Sequence, residues 1–131
     1  MHAMTLRLSP GDDLRAALDQ ALRAHGLSAA YVLQGIGSLS VARLRYAGRD
    51  EAAELRGDLE ILTLAGTLSE QGPHLHMSVS DADGRVFGGH VSPGCNVRTT
   101  AEIIVANLPG ERYTREHDAA TGFAELVIRP A

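Results

Sequence analysis

Residues 72–90 read Gly-Pro-His-Leu-His-Met-Ser-Val-Ser-Asp-Ala-Asp-Gly-Arg-Val-Phe-Gly-Gly-His, and the way this stretch turns back on itself decides the fold. His74 to Ser80 alternates apolar and polar residues as a strand does, Asp81 to Gly84 is turn chemistry, and a second strand starts at Val86. A three-residue loop, Ala82-Asp83-Gly84, closes such a hairpin when the glycine adopts the left-handed conformation. Asp81 then faces Arg85, Ser80 faces Val86, Ser78 faces Gly88, and His76 faces His90.

Strand side chains alternate with a period of two, so this register assigns two faces. Leu75, Met77, Val79, Phe87 and Val91 form the core face. His74, His76, Ser78, Ser80, His90 and Ser92 form the other, with Gly88 leaving space among them. Three imidazoles converge on that polar surface. A two-residue turn at Asp83-Gly84 would slip the register by one and send His90 to the apolar side, so the cluster depends on the turn.

The flanking segments supply the rest of a sheet and one helix. Thr5 to Leu8 reads as a first strand. Met1-His2-Ala3 ahead of Met4 carries no functional weight and reads equally as native or as an addition, with disorder of residues 1–4 one expectation. After Ser9-Pro10-Gly11, Asp12 is placed to cap a helix and Asp13 to favour the positive end of its dipole. Leu14, Ala17, Leu18, Ala21 and Leu22 recur at helical spacing, and Gly26 ends a helix over about residues 12–25 with His25 at its C-terminal end. Ala29 to Leu39 is a buried strand interrupted at Gly35 and Gly37, and Val41 to Tyr46 a half-exposed one. Gly48 to Gly57 is a charged, mobile loop, and Leu59 to Leu68 a strongly apolar strand. Val97 to Leu108 fits helix or strand by periodicity. Glu111 to Gly122 is polar, and Phe123 to Ile128 is a closing strand. Many strands with one good helix indicate an α+β architecture, a mostly antiparallel or mixed sheet with the helix packed on it. With 131 residues, 44% hydrophobic and 21% charged, the chain suits a single soluble domain spanning 1–131.

Composition excludes several functions. No apolar run approaches the roughly 20 residues that cross a bilayer, and the N-terminus lacks the basic start and apolar block of a secretory signal. One cysteine, Cys95, forbids an internal disulfide and fits a reducing cytoplasm. A net charge of −4 and a pI of about 5.8 oppose autonomous nucleic-acid binding, which calls for a basic surface. Arg43 and Arg45 share a strand face suited to an anion or, more simply, to surface ion pairs. The glycines form neither a P-loop nor a GxGxxG ahead of a helix.

The histidines carry the chemistry. His-x-His on a strand puts two imidazoles on one side about 7 Å apart at the backbone, within reach of one metal ion. His90 from the next strand completes a three-nitrogen set with room for water or a substrate. Zinc is the first expectation, and other divalent transition metals suit imidazole too. Hydrogen bonding of the same histidines to serines, backbone or a partner subunit is the structural alternative. A cupin would need a glutamate a few residues after the paired histidines, and none is there. Glu102, the one acid in an apolar segment, is a further ligand or general base only if the protein is an enzyme and that segment reaches the histidine face.

The blocks LRLSPGDDL, GIGSLSVARL, LEILTLAGTLSEQGPHLHMSVSDADGRVFGGHVSPGCNVRTTAEIIV and TGFAELVI together resemble the plants and prokaryotes conserved domain over nearly the whole chain. The resemblance implies a homotrimer. In plants it implies a domain that follows a DNA-binding AT-hook and mediates self-association and contact with other nuclear proteins. Prokaryotic members of the family usually stand alone, often carry a DNA-binding label, and have a poorly defined biochemical role. This sequence contains no Arg-Gly-Arg-Pro hook and no basic terminal arm, so direct DNA binding is not expected. His74, His76 and His90 match the family's histidine motif. The expected protein is an oligomeric binding or assembly module that takes a small ligand or protein partner, with a metal-dependent enzyme acting on a small molecule and, by family analogy, a DNA-associated regulator as the rival readings.

Overall fold

Eight strands and one helix follow one another as β1 (His2–Leu8), α1 (Leu14–Ala24), β2 (Ala30–Arg45), β3 (Ala53–Ser69), β4 (Gly72–Ser80), β5 (Val86–Val91), β6 (Asn96–Asn107), β7 (Glu111–His117) and β8 (Ala124–Pro130). They belong to a computed structural model that describes residues 1–131. Six strands make one sheet in the order β1-β6-β2-β3-β4-β5, and β7 and β8 make a separate hairpin. Every pairing is antiparallel.

Length explains the sheet's curvature. β2 and β3 run for 16 and 17 residues, long enough for normal strand twist and the register shift between Leu39 and Val41 to bend the sheet back on itself. The end of β2 meets β5, where Leu44 pairs with Val91 and Arg45 with His90. That pairing closes β2, β3, β4 and β5 into a ring. Its inner face carries Leu44, Leu75, Val79 and Val91, all 0% exposed. Leu, Val, Ile and Ala fill the core, as the scarcity of aromatic residues requires.

The helix lies against β3 and β4 and buries Leu14, Leu18 and Leu22 at four-residue spacing. Its N-cap is Asp13, one residue later than the sequence suggested. One carboxylate oxygen of Asp13 accepts from the Ala16 amide at 2.9 Å, and the other accepts from the Gly94 amide at 2.6 Å. Asp12 instead accepts from the Ser9 amide at 2.9 Å. The cap therefore ties α1 to the turn after β5 as well as starting the helix.

Three further sequence expectations change and one open segment is settled. The first strand begins at His2, because His2 to Leu8 pair along β6 from Asn107 to Ala101. The segment from 97 to 108 is strand, because β6 lies between β1 and β2 and bonds to both. The charged loop shrinks, because β3 starts at Ala53 and its charged end pairs with β2 through Arg43 opposite Glu54. The polar segment 111–122 also contains a strand, β7. It hangs on the sheet through the Tyr113 amide to the Ser28 carbonyl (2.9 Å), the paired bonds of Arg112 to Glu70 (2.8 and 3.1 Å), and the Arg115 amide to Gln71 Oε1 (2.8 Å).

Candidate metal centre

The turn has the three-residue form. The Asp81 amide donates to the Arg85 carbonyl at 2.9 Å, the Gly84 amide donates to the Asp81 carbonyl at 3.0 Å, and Gly84 has φ of 77°. Asp81 Oδ1 also accepts from the amides of Asp83 and Arg85 at 3.0 and 2.9 Å. An aspartate at the head of the turn thus gathers its free amides and holds the loop at this length. The register follows: Ser80 with Val86, Ser78 with Gly88, His76 with His90.

Two further pairings extend the polar face. Thr67 of β3 lies opposite His74, and Arg45 of β2 opposite His90. The second depends on Gly89, where a Cβ would lie 2.9 Å from the Arg45 carbonyl oxygen and 3.4 Å from Leu44 Cβ. Only a residue without a side chain lets β5 come this close to β2.

His74, His76 and His90 meet as a triangle. Ring centroids are 5.1 Å apart for His74–His76, 5.3 Å for His74–His90 and 5.7 Å for His76–His90. One ring nitrogen from each lies within 4.8 Å of the other two. A tetrahedral zinc with Zn–N bonds of about 2.0–2.1 Å holds its nitrogens roughly 3.4 Å apart. The rings need to close by at most about 1.4 Å, which side-chain torsions supply. Nδ1 of His90 is buried with no hydrogen-bond partner in the chain, a costly arrangement that a bound ligand relieves. The donor set therefore fits a divalent transition metal.

Burial and nearby cations favour the neutral form of His74 and His90, the form that metal ligation requires. Burial lowers the pKa of His90 to about 4, assisted by the Arg45 guanidinium, the other two histidines and Arg15. His74 is lowered by burial, then by Arg115, His76 and Arg15, with Glu125 acting in the opposite direction.

Below the triangle is a cavity of about 450 Å³ whose lining includes His74, His90, Arg15, Arg45, Arg115 and Phe123. Sequence reading missed Arg15 and Arg115. Arg15 comes from the helix, and Arg115 from a strand that looked like a polar connection. Arg115 donates to Thr67 Oγ1 at 2.8 Å and approaches His74 Nδ1 at 3.3 Å. Glu102 does not join the histidines within one chain. It lies on β6 opposite Ile36 and lines a different cavity with Ile36, Glu60, Leu62 and Arg98. Cys95 is buried, which pushes its thiol pKa up, and the Arg43 amide donates to its sulfur at 3.3 Å. It packs within the hydrophobic core.

The model of the Plants and Prokaryotes Conserved (PCC) domain matches residues 1–109. The chain belongs to this family. Bifunctional protein GlmU of Synechococcus sp. (strain JA-3-3Ab) is 49% identical over 98% of this PCC chain, which spans 21% of that relative's length. A hypothetical protein from Salmonella enterica superposes with a TM-score of 0.96 at 40% identity, over 98% of this chain and 94% of that one. A metal-containing protein from Archaeoglobus fulgidus superposes with a TM-score of 0.82 at 31% identity, over 97% and 94% of the two chains. The match to the PCC model ends before the β7–β8 hairpin, so Arg115 lies outside it.

Proposed function

We propose that this PCC domain is a cytoplasmic, self-assembling metal-binding module whose ion is held by His74, His76 and His90, with zinc the first choice. The observation that carries this reading is the three imidazoles whose ring nitrogens lie within 4.8 Å of one another on a face set by the turn at Asp81–Gly84. The metal-containing relative from Archaeoglobus fulgidus supports it. Three protein ligands leave a tetrahedral ion one open position, so the module binds a ligand there. Glu102, the acid that the enzyme reading would use, lines a separate cavity, which favours binding over catalysis. No helix is long and apolar enough to cross a membrane.

Self-association as a homotrimer rests on the family resemblance. Leu33, Ile36 and Leu62, each 44–45% exposed on the outer face of β2 and β3, give a second copy apolar surface to cover. Direct DNA binding is not favoured at a net charge of −4, because affinity for the phosphate backbone needs a cationic surface.

Elemental analysis of untagged protein purified without chelators, on the wild type and a His76→Ala/His90→Ala variant, tests the reading. Near-stoichiometric zinc or another transition metal in the wild type, lost in a variant of unchanged oligomeric state, is the expected result. A wild type that takes up no metal even after incubation with zinc overturns it. Sedimentation of the same samples checks the trimer.

A further inference from the structure

Seven of the twelve arginines pair with a carboxylate. Of the remaining five, three line the cavity under the histidines: Arg15, Arg45 and Arg115. They come from α1, the end of β2 and β7, so only the folded chain brings them together. Nη1 of Arg15 is buried without a hydrogen-bond partner, and Arg45 reaches only the Arg49 carbonyl, at a long 3.4 Å. Glu125 is the single carboxylate among the lining residues. The arginines and Glu125 give the wall three positive charges against one negative, in a protein whose net charge is −4. Guanidinium groups left unpaired around a concavity are the usual recognition elements for carboxylate and phosphate groups.

The contact between Arg115 and His74 strengthens the point. A guanidinium has donors only, so Nδ1 of His74 faces Arg115 through its lone pair. A neutral imidazole has one lone pair to give. A metal bound at Nδ1 would take the place of Arg115, and a metal bound at Nε2 would leave a proton on Nδ1, directed at a donor. Ligation by His74 thus requires Arg115 to turn away, and a guanidinium displaced beside a dication needs an anion to face.

We propose that Arg15, Arg45 and Arg115 form an oxyanion seat beside the histidine triad. Its ligand is a metabolite-sized molecule carrying a carboxylate or phosphate group, one of whose oxygens reaches the metal's open position. The cavity, about 450 Å³, is in the range of small-molecule sites and larger than a bare inorganic anion needs. Phe123, 72% exposed at its rim, offers an aromatic face to the body of such a molecule. Contact with the metal rests on the reading above, while the arginine seat stands without it.

Calorimetric titration at low ionic strength with phenyl phosphate, and with phenol as the neutral control, separates the two. Metal-free protein is expected to bind phenyl phosphate and not phenol. Arg45→Gln and Arg115→Gln, each checked for folding by circular dichroism, should each weaken binding at least tenfold. Zinc-loaded protein should bind phenyl phosphate more tightly than the metal-free form. Binding to metal-free protein by a chain that takes up no zinc would keep the seat and remove the metal. Zinc uptake with no phenyl phosphate binding in either form, or binding indifferent to both substitutions, overturns the seat and leaves the metal reading intact.

Discussion

Gly88 and Gly89 are adjacent in β5, and replacing each with alanine separates two effects that a single substitution would mix. Both replacements restrict the unfolded chain, which stabilises by about 0.4–1 kcal/mol where the native backbone accepts alanine. Neither glycine has a positive φ, so the backbone accepts it at both sites. Space differs. At Gly88 the new methyl would lie 3.3 Å from the Met77 carbonyl oxygen and 3.9 Å from Ser78, a slightly tight contact on the open polar face. At Gly89 it would lie 2.9 Å from the Arg45 carbonyl oxygen, and relief means parting β5 from β2. Overpacking of that kind costs about 1–3 kcal/mol. Gly88→Ala is therefore expected within about 0.5 kcal/mol of the wild type, and Gly89→Ala to lose about 1–2 kcal/mol. For a chain of this size that loss lowers Tm by roughly 3–8 °C. Thermal and urea unfolding at matched protein concentration measure it. Zinc affinity should fall in Gly89→Ala as well, because His90 is held opposite Arg45 by the same approach. Equal midpoints for the two variants, or a Gly89→Ala protein as stable as the wild type, would refute the claim that this contact closes the ring.

Two other outcomes follow from the site. His90 is neutral in the folded protein down to about pH 4, whereas in the unfolded chain it takes a proton near pH 6.5. The stability linked to it is therefore complete above about pH 6.5 and is lost as pH falls from there through about 4. His90→Gln in metal-free protein should flatten the pH dependence of the urea midpoint across that window, and an unchanged profile would show that His90 is not held neutral. Glu102→Gln should leave zinc stoichiometry and affinity as in the wild type, since Glu102 lines a separate cavity. Loss of zinc in that variant would mean that Glu102 reaches the histidines from another copy of the chain.

Much of the site was legible from one hairpin. Alternation from His74 to Ser80 assigns each side chain to a face, and a three-residue loop closed by Gly84, one of two turns the sequence allows, brings His76 opposite His90. These are local rules in which a residue's neighbours along the chain decide its direction. The helix was legible for the same reason, its leucines recurring every four residues, although which aspartate caps it depended on the distant Gly94 amide.

What the sequence alone determined, then, was the α+β class and the two faces of β4, while the meeting of His90 with His74 and His76 stayed conditional on the three-residue turn that the structure shows. Only the tertiary structure decided that residues 97–108 are strand, since hydrogen-bonding partners on both sides decide between two conformations that periodicity leaves equal. It also decided that Glu102 stands apart from the histidines and that three unpaired arginines surround them. Arg15, Arg45 and Arg115 are separated by 30 and 70 positions in the sequence, and no local pattern relates them. Their meeting depends on the closure of β2 onto β5, the helix capped against the following turn, and the hairpin of β7 and β8 hung on Glu70 and Gln71. Long-range closure is settled by packing and strand pairing across the whole chain, where the information in any one stretch runs out.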